Sequence, residues 1–469
     1  MKNVIIDPGI IPINNVKEAT NNSIYKVNFI QQAQRKDMIL KEWPSASNYT
    51  FYTYDELKTV LTLKHPEYVM EHYTDVFNKV ISDFRTLLIG ERVNQRFFPW
   101  QNCFDDIIIV SNLVTNYLDL FCDINPIFVF YEATPHNIGS YTLGKIAEIF
   151  GIPVYMLDLR LPWKSYIMKG IDTHTDLVND FSKIEQGDSE YIESYFDKNT
   201  KKYDEAITPY EREFFKERKG NLWSWKAELK DCFKNRFHRR VVALFRKYVL
   251  YKYYYSLVVK DLPNKDYIVV FLHYQPERTT LPEAQFFVQQ LHMIRTIQLA
   301  LPGYKILVKE HPGTFAEQFN IKYRSKRFYH SLSQMKDVSL IDPRIDSFSL
   351  VDNSLCVVTV RGTVGLQSLI RGKQVLCFGL SSYTDFDGCY FVHSCKDVID
   401  AISDIKTKNQ DSNYSLSQKT LEKLKQLDKS TVSGIRDRSK IGELLYNLDY
   451  KLEADGILLE KILRGETNM

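Results

Sequence analysis

Residues 127–159 read IFVFYEATPHNIGSYTLGKIAEIFGIPVYMLDL. A short apolar run ends in the polar loop Glu132-Ala133-Thr134-Pro135-His136, and an amphipathic helical period then leads into a second apolar run. This is the strand, loop, helix, strand grammar of a parallel sheet, whose strands are buried on both faces and so show no polar alternation. Upstream, Ile107–Val110 and Val129–Tyr131 both read as short buried strands. The loop 132–136 follows the carboxyl end of its strand, the edge at which open α/β sheets bind ligands.

A second α/β pattern begins at Asp266. YIVVFLHY leads into Gln275-Pro276-Glu277-Arg278-Thr279-Thr280, a helical period over Gln285–Ala300 follows, and Lys305–Val308 then runs into Lys309-Glu310-His311-Pro312. Further strands are expected at Val338–Ile341, Leu355–Val360 and Gln374–Phe378. Two such patterns in 469 residues imply two α/β domains, since a single core stops growing at about 250–300 residues. The expected organisation is an N-terminal domain over 1–199, a basic aromatic helical section over 200–262, a second domain over 263–410, and C-terminal helices over 411–469 that return toward the first domain.

Composition narrows the classes. Hydrophobic residues make up 44% and charged residues 25%, near the globular average. The net charge of +3 gives nucleic acid no support as a partner. Seven scattered cysteines with no C-x-x-C pair suit a reducing cytoplasm. Met1–Ile13 lacks an apolar stretch of signal-peptide length, and no run approaches the roughly 18–20 uninterrupted apolar residues of a spanning helix. Any membrane contact is therefore expected to be peripheral. The basic helix over 230–252, with Lys234, Arg236, Arg239, Arg240, Arg246 and Lys247 among aromatics, offers either an anionic lipid surface or a helical hairpin packed on a domain.

The candidate chemistry gathers at strand ends. Arg361-Gly362-Thr363-Val364-Gly365 stands between a strand and a helix, and a Gly turn opening a helix presents backbone N–H groups at the positive end of the dipole, which suits a phosphate. His311, stiffened by Pro312, follows another strand beside Lys309 and can hydrogen-bond a phosphate oxygen or protonate a departing phosphate. Its plain alternative is a loop histidine capping backbone carbonyls. Arg278 suits a bidentate phosphate clamp, with Gln275 and Glu277 able to accept from sugar or base groups. In the N-terminal half, Glu132 is the candidate base or nucleophile on the acceptor side, with His136 beside it. No zincin, nucleophile-elbow or P-loop motif is present, and Asp385-Phe386-Asp387 reads as a solvated turn before it reads as a metal site. No cofactor is called for beyond a co-substrate.

The segments HYQPERTT, VKEHP and VRGTVGLQSLIRGKQVLCFG with Tyr383, together with FYEATPH and KIAEIFGIPV, resemble the bacterial capsule polysaccharide biosynthesis proteins that include the capsule-type Kdo transferases. The resemblance covers about Ile127–Leu157 and Tyr267–Tyr383. It implies a GT-B fold, with two Rossmann-like domains facing a central cleft and the donor nucleotide on the C-terminal one. The implied activity is transfer of a sugar from a nucleotide-activated donor such as CMP-Kdo to a surface polysaccharide or lipid-linked acceptor. His311-Pro312 and the Gly362–Gly365 turn are similar to the elements that hold the donor phosphate there. Where such helices often carry a ribose-binding Glu, this chain has Gln367. The rival readings are a non-hydrolysing sugar-nucleotide epimerase and a non-catalytic scaffold that binds glycan or lipid during export.

Overall fold

The structure, a computed structural model, describes residues 2–9, 11–21, 23–97, 103–161, 164–171, 175–176, 189–201, 237–275, 280–316, 324–430, 432–433 and 458–464. The chain divides into two compact units, one formed by Met1–Gly187 with Gln426–Met469 and the other by Asp188–Lys425. Each unit carries its own sheet and its own core.

In unit 1 the strands are β1 (Asn3–Asp7), β2 (Lys26–Gln31), β3 (Thr50–Thr53), β4 (Val129–Tyr131), β5 (Val154–Leu161), β6 (Lys164–Lys169) and β7 (Thr175–Asp176), with the short strand Val432–Ser433 added antiparallel beside β6. The order β3-β2-β1-β4-β5 is parallel throughout, and β6 joins antiparallel. The chain reverses its direction of winding between β1 and β4, so the topological switch point of this sheet lies there. Burial of Val4, Ile6, Phe29, Phe128 and Phe130 explains why these runs show no polar alternation. The helical segment 458–464 places Leu458, Leu459, Ile462 and Leu463 in the same core.

Unit 2 holds β8 (Tyr267–Phe271), β9 (Ile306–Lys309), β10 (Val338–Ile341), β11 (Ser354–Thr359), β12 (Val375–Cys377) and β13 (Cys389–Phe391) in the order β10-β9-β8-β11-β12-β13. Every pairing is parallel. This is the Rossmann order, with its switch point between β8 and β11. The α/β class and the two Rossmann-like sheets expected of a GT-B chain are both present.

Two local expectations are corrected. Ile107–Val110 lies inside a 22-residue helix, Cys103–Ile124, opened by Asp105 and Asp106, and is not a strand. A four-residue apolar run carries no period of its own, and the buried face of this helix, with Val110, Leu113, Val114, Tyr117 and Leu118, becomes visible only over several turns. Among the described residues this one helix is long and apolar enough to cross a bilayer, and half of its apolar window is buried within the fold. The helical period over Gln285–Ala300 is also broken, into a 3-10 turn at Gln285–Val288 and a helix at Gln290–Ala300 separated by the extended Gln289.

Candidate functional site

The switch point of unit 2 is built from the loops that leave β8 and β11. After β8 the imidazole of His273 is buried, and its Nε2 accepts the backbone N–H of Arg361 at 3.2 Å. A backbone amide can only donate, so this contact holds Nε2 unprotonated. Thr359 Oγ1 lies 3.2 Å from the same nitrogen and accepts Gly362 N–H at 3.2 Å. The first two amides of the Gly turn are thus occupied by His273 and Thr359. Gly362 is the N-cap of the helix Thr363–Ile370 and provides no capping side chain. The anion-binding end of that helix therefore narrows to Thr363 and Val364, and the exposed Thr363 brings its hydroxyl as well.

Gly365 is required here by sterics. A Cβ at that position would overlap the hydroxyl of buried Tyr383, which donates to Gly362 O at 2.5 Å and clamps the turn. Tyr383 ends the segment that carries the resemblance, and its contact with the turn gives it a role that sequence alone leaves open.

After β9, the carboxylate of Glu310 is fully buried and receives four groups. These are His311 N–H at 2.9 Å, Thr314 Oγ1 at 3.1 Å, Tyr329 Oη at 2.8 Å and Arg324 Nε at 2.8 Å. Arg324 also donates from Nη2 to His273 O at 2.7 Å, so one buried ion pair ties the β8 loop to the β9 loop. A buried pair of this kind is sustained by the hydrogen bonds that satisfy its remaining lone pairs. His311 stands on this base, partly exposed, with Nδ1 accepting Gly313 N–H at 3.0 Å. That acceptor role puts the proton of the neutral ring on Nε2, the nitrogen that can donate to a phosphate oxygen. Pro312 is buried beneath it.

Several expected contacts are corrected by burial. Lys309 is 4% exposed, and its ammonium donates to Ile345 O at 2.5 Å and Ser347 Oγ at 2.6 Å, so it ties β9 to the β10 loop and does not reach a phosphate. Arg361 turns its guanidinium into an ion pair with the fully buried Glu283, which neutralises it beside the turn. Glu283 escaped the sequence reading because a lone carboxylate after Leu281-Pro282 carries no pattern; only its burial marks it. Gln275 is buried and donates to Thr280 Oγ1 at 2.8 Å. Gln367 donates to Asn199 Oδ1 at 3.1 Å, which commits its amide to the helix Ser189–Thr200. Glu277 and Arg278 lie outside the described residues. In the D-x-D turn, Asp385 pairs with Lys423 at 3.0 Å and Asp387 with Lys419 at 3.3 Å.

The basic helix is described from Phe237 to Leu257, its side chains from Leu244 onward; Lys234 and Arg236 lie outside the described residues. Nothing is described of the Arg239 and Arg240 side chains. Arg246 is exposed, but Lys247 is 1% exposed, and Leu250 and Tyr254 enter the unit 2 core with Tyr254 Oη donating to Ile341 O at 2.6 Å. Lys247 is therefore corrected from lipid-facing to buried, because it shares the helix face of Leu250 and Tyr254.

In unit 1 the switch point brings together residues far apart in sequence. Glu132, just past β4, lies over the turn Asp7-Pro8-Gly9 that leaves β1, and a Cβ on Gly9, whose φ is +50°, would overlap it. Asp7 accepts Tyr54 Oη at 2.5 Å and Gly9 N–H at 3.1 Å. Burial pushes the Asp7 carboxyl up to about 7, against the downward pull of the Tyr54 and Gly9 hydrogen bonds, and the neighbouring Glu132 adds to the rise. Arg35 faces both carboxylates, its own affinity for a proton lowered by burial. Asp7, Tyr54 and Arg35 have no motif in the sequence; three separate strand ends deliver them. His136 Nδ1 donates to Thr134 O at 3.0 Å, and Asn137, not Thr134, caps the helix Ile138–Ile149.

Residues 282–389 match the capsule polysaccharide biosynthesis protein family. This capsule-family segment is under a quarter of the chain, and it contains Glu283, His311, Arg324, the Gly362 turn and Tyr383. His273 and Gln275 precede it. No curated protein matches the chain. Among solved structures, UDP-GlcNAc 2-epimerase from Methanocaldococcus jannaschii is 12% identical with a TM-score of 0.25, covering 91% of this chain and 99% of that one. The Neisseria meningitidis UDP-GlcNAc 2-epimerase bound to UDP-GlcNAc is 11% identical with a TM-score of 0.24 and the same coverage. The Thermosulfurimonas dismutans KpsC beta Kdo 2,7 transferase is 14% identical with a TM-score of 0.25, covering 66% of this chain and 86% of that one.

Proposed function

We propose that the chain is a glycosyltransferase of surface polysaccharide synthesis that holds a nucleotide-activated sugar on unit 2 and transfers the sugar to a glycan or lipid-linked acceptor. What supports the reading is that the helix end at Thr363 and the loop of His311 both stand, within the capsule-family segment, at the carboxyl edge of one parallel sheet. Backbone amides and a hydroxyl at a helix end, with an imidazole from a nearby loop, are groups suited to stabilising the charge of a leaving nucleotide without calling on a cation. The proposed donor is a CMP-activated acidic sugar such as CMP-Kdo, and the proposed setting is the cytoplasmic face of the membrane, where the exposed Arg246 and Phe245 meet anionic lipid.

His311 hydrogen-bonds the departing phosphate, and the buried Glu310–Arg324 pair keeps its loop in register with His273. Replacing His311 by Ala should lower turnover by about 10²–10⁴-fold while leaving the thermal melt in place. The first measurement is a thermal-shift series with CMP, UDP, GDP and CDP. Stabilisation by CMP supports the acidic-sugar donor, and conversion of a nucleotide sugar with no acceptor present would replace transfer by epimerisation. Unchanged activity in the His311→Ala protein would remove the phosphate role.

A further inference from the structure

How many phosphates a nucleotide site accepts depends on the positive charge beside it, because each further phosphate brings negative charge that must be matched once water is excluded. In unit 2, the cations described between the carboxyl ends of β9, β10 and β11 and the helices Lys326–Ser333, Ser347–Asn353 and Thr363–Ile370 are Lys309, Arg324, Arg344 and Arg361. None is described in the loops after β8 and β12. Arg324 pairs with Glu310 at 2.8 Å, Arg344 with Asp342 at 2.6 Å, and Arg361 with Glu283. Lys309 spends its ammonium on Ile345 O and Ser347 Oγ. Each guanidinium described at this edge is thus matched by a carboxylate.

The Arg361–Glu283 pair is the one set into the Gly turn. Arg361 donates its backbone N–H to His273 Nε2, and the next residue, Gly362, is the N-cap of the helix Thr363–Ile370. Its guanidinium therefore belongs to the residue just before the helix end proposed to meet phosphate. The Glu283 side chain is fully buried and that of Arg361 nearly so. Glu283 arrives from the segment after β8, where Gln275 donates to Thr280 Oγ1 at 2.8 Å. A Cβ on Gly379 would stand 3.1 Å from Glu283 O and 2.8 Å from Val360 Cγ1, so the loop after β12 packs against both segments. A buried ion pair contributes little net stability, since desolvation offsets the attraction. Its consequence here is electrostatic: an unmatched guanidinium would add a full charge to the half charge of the helix end, and Glu283 removes it.

We propose that Glu283 is a positioning residue that sets donor specificity: by holding Arg361 inside the fold and cancelling its charge, it fits unit 2 to a sugar joined through one phosphate and disfavours a sugar joined through two; this rests on the glycosyltransferase reading above. A monophosphate linkage carries one negative charge, which suits a helix end and an imidazole N–H. A diphosphate linkage carries two, and the second meets guanidinium groups already matched by carboxylates. A neutral carboxamide at position 283 keeps the shape of the side chain and returns the Arg361 charge to the turn.

The test compares nucleotides that share a base and differ by one phosphate, CMP with CDP and UMP with UDP, titrated calorimetrically into the full chain at about 20 mM and about 200 mM salt. The parent is expected to bind the monophosphate of its preferred base more tightly than the diphosphate, by about tenfold. Glu283→Gln should move that ratio toward the diphosphate by about tenfold, and the move should shrink at the higher salt, as a charge effect does. Glu283→Gln combined with Arg361→Gln removes both charges and should return the ratio to the parent's, which lost packing at position 283 would not do. A lone buried guanidinium weakens a fold. Should Glu283→Gln not fold, Glu283→Asp keeps the charge, draws it one methylene back from Arg361, and should move the ratio the same way by a smaller factor. A parent that binds the diphosphate as tightly as the monophosphate, or single variants whose ratio stays within about twofold of the parent's, overturns the role of Glu283 and leaves nucleotide binding on unit 2 intact. A folded parent that binds none of the four nucleotides overturns the glycosyltransferase reading and the role built on it.

Discussion

The Asp7 carboxyl is pushed up to about 7 in the folded chain, chiefly by burial, against 3.8 for the ordinary group. Between those values the folded state binds more protons than the unfolded state, so stability falls as pH rises through this window. Above it Asp7 is ionised in both states and the full cost is present. Asp7→Asn removes that cost. The variant should melt higher than the parent at about pH 8, by on the order of 1–3 kcal/mol since Asp7 is partly solvated, and the difference should vanish near pH 4. Paired calorimetric melts at the two pH values check the sign; an Asn variant that is less stable at pH 8 would mean that the Tyr54 and Gly9 hydrogen bonds outweigh the desolvation. Lys309 is the converse case, a cation whose position beside His311 suggests ligand binding but whose burial against Ile345 O and Ser347 Oγ makes it part of the scaffold.

At the scale of elements, the strand-to-helix junction at β11 is held by side chains from three other segments. Thr359, Arg361 and Gly362 are held by His273, Glu283 and Tyr383, so the helix end at Thr363 is fixed from three sides before any ligand arrives. Preorganisation of this kind removes the ordering cost from binding. Gly365→Ala places a methyl group against the Tyr383 hydroxyl, and overpacking of this sort costs about 1–3 kcal/mol. The variant should melt lower and lose CMP-induced stabilisation together, because relief of the clash moves Tyr383 off Gly362 O. Loss of stability with nucleotide binding intact would show that the clamp is not needed for the site.

The whole molecule is two units whose cores are separate but whose sequence segments are not. Leu458, Leu459, Ile462 and Leu463 are fully buried in the unit 1 core, more than 270 residues after the rest of that unit begins to leave it. Each such side chain contributes about 1.5–3 kcal/mol of burial. A chain ended before residue 456 should therefore lose unit 1 stability by several kcal/mol, while unit 2 keeps its response to nucleotide. Limited proteolysis with mass spectrometry reads the two units apart, and equal protection of both in the shortened chain would refute the dependence.

The sequence by itself determined the α/β class and most strands of unit 2, because unbroken apolar runs ended by polar loops leave a parallel sheet as the consistent solution; β1, β2 and β3 of unit 1 were not read from it. Of the unit 2 candidates, His311 and Gly362 stand at strand ends as the sequence indicates, and strand ends can be read. What only the tertiary structure decided is which of these side chains face a ligand. Lys309, Arg361, Gln275 and Gln367 lost their assigned contacts to buried partners up to 168 residues away. Asp7, Tyr54, Arg35 and Glu132 came together only when the ends of β3, β2, β1 and β4 were set in one sheet. Periodicity records how a residue meets its own element. It holds no trace of which distant carboxylate or amide will share its burial, and that sharing is what sets charge, protonation and reach.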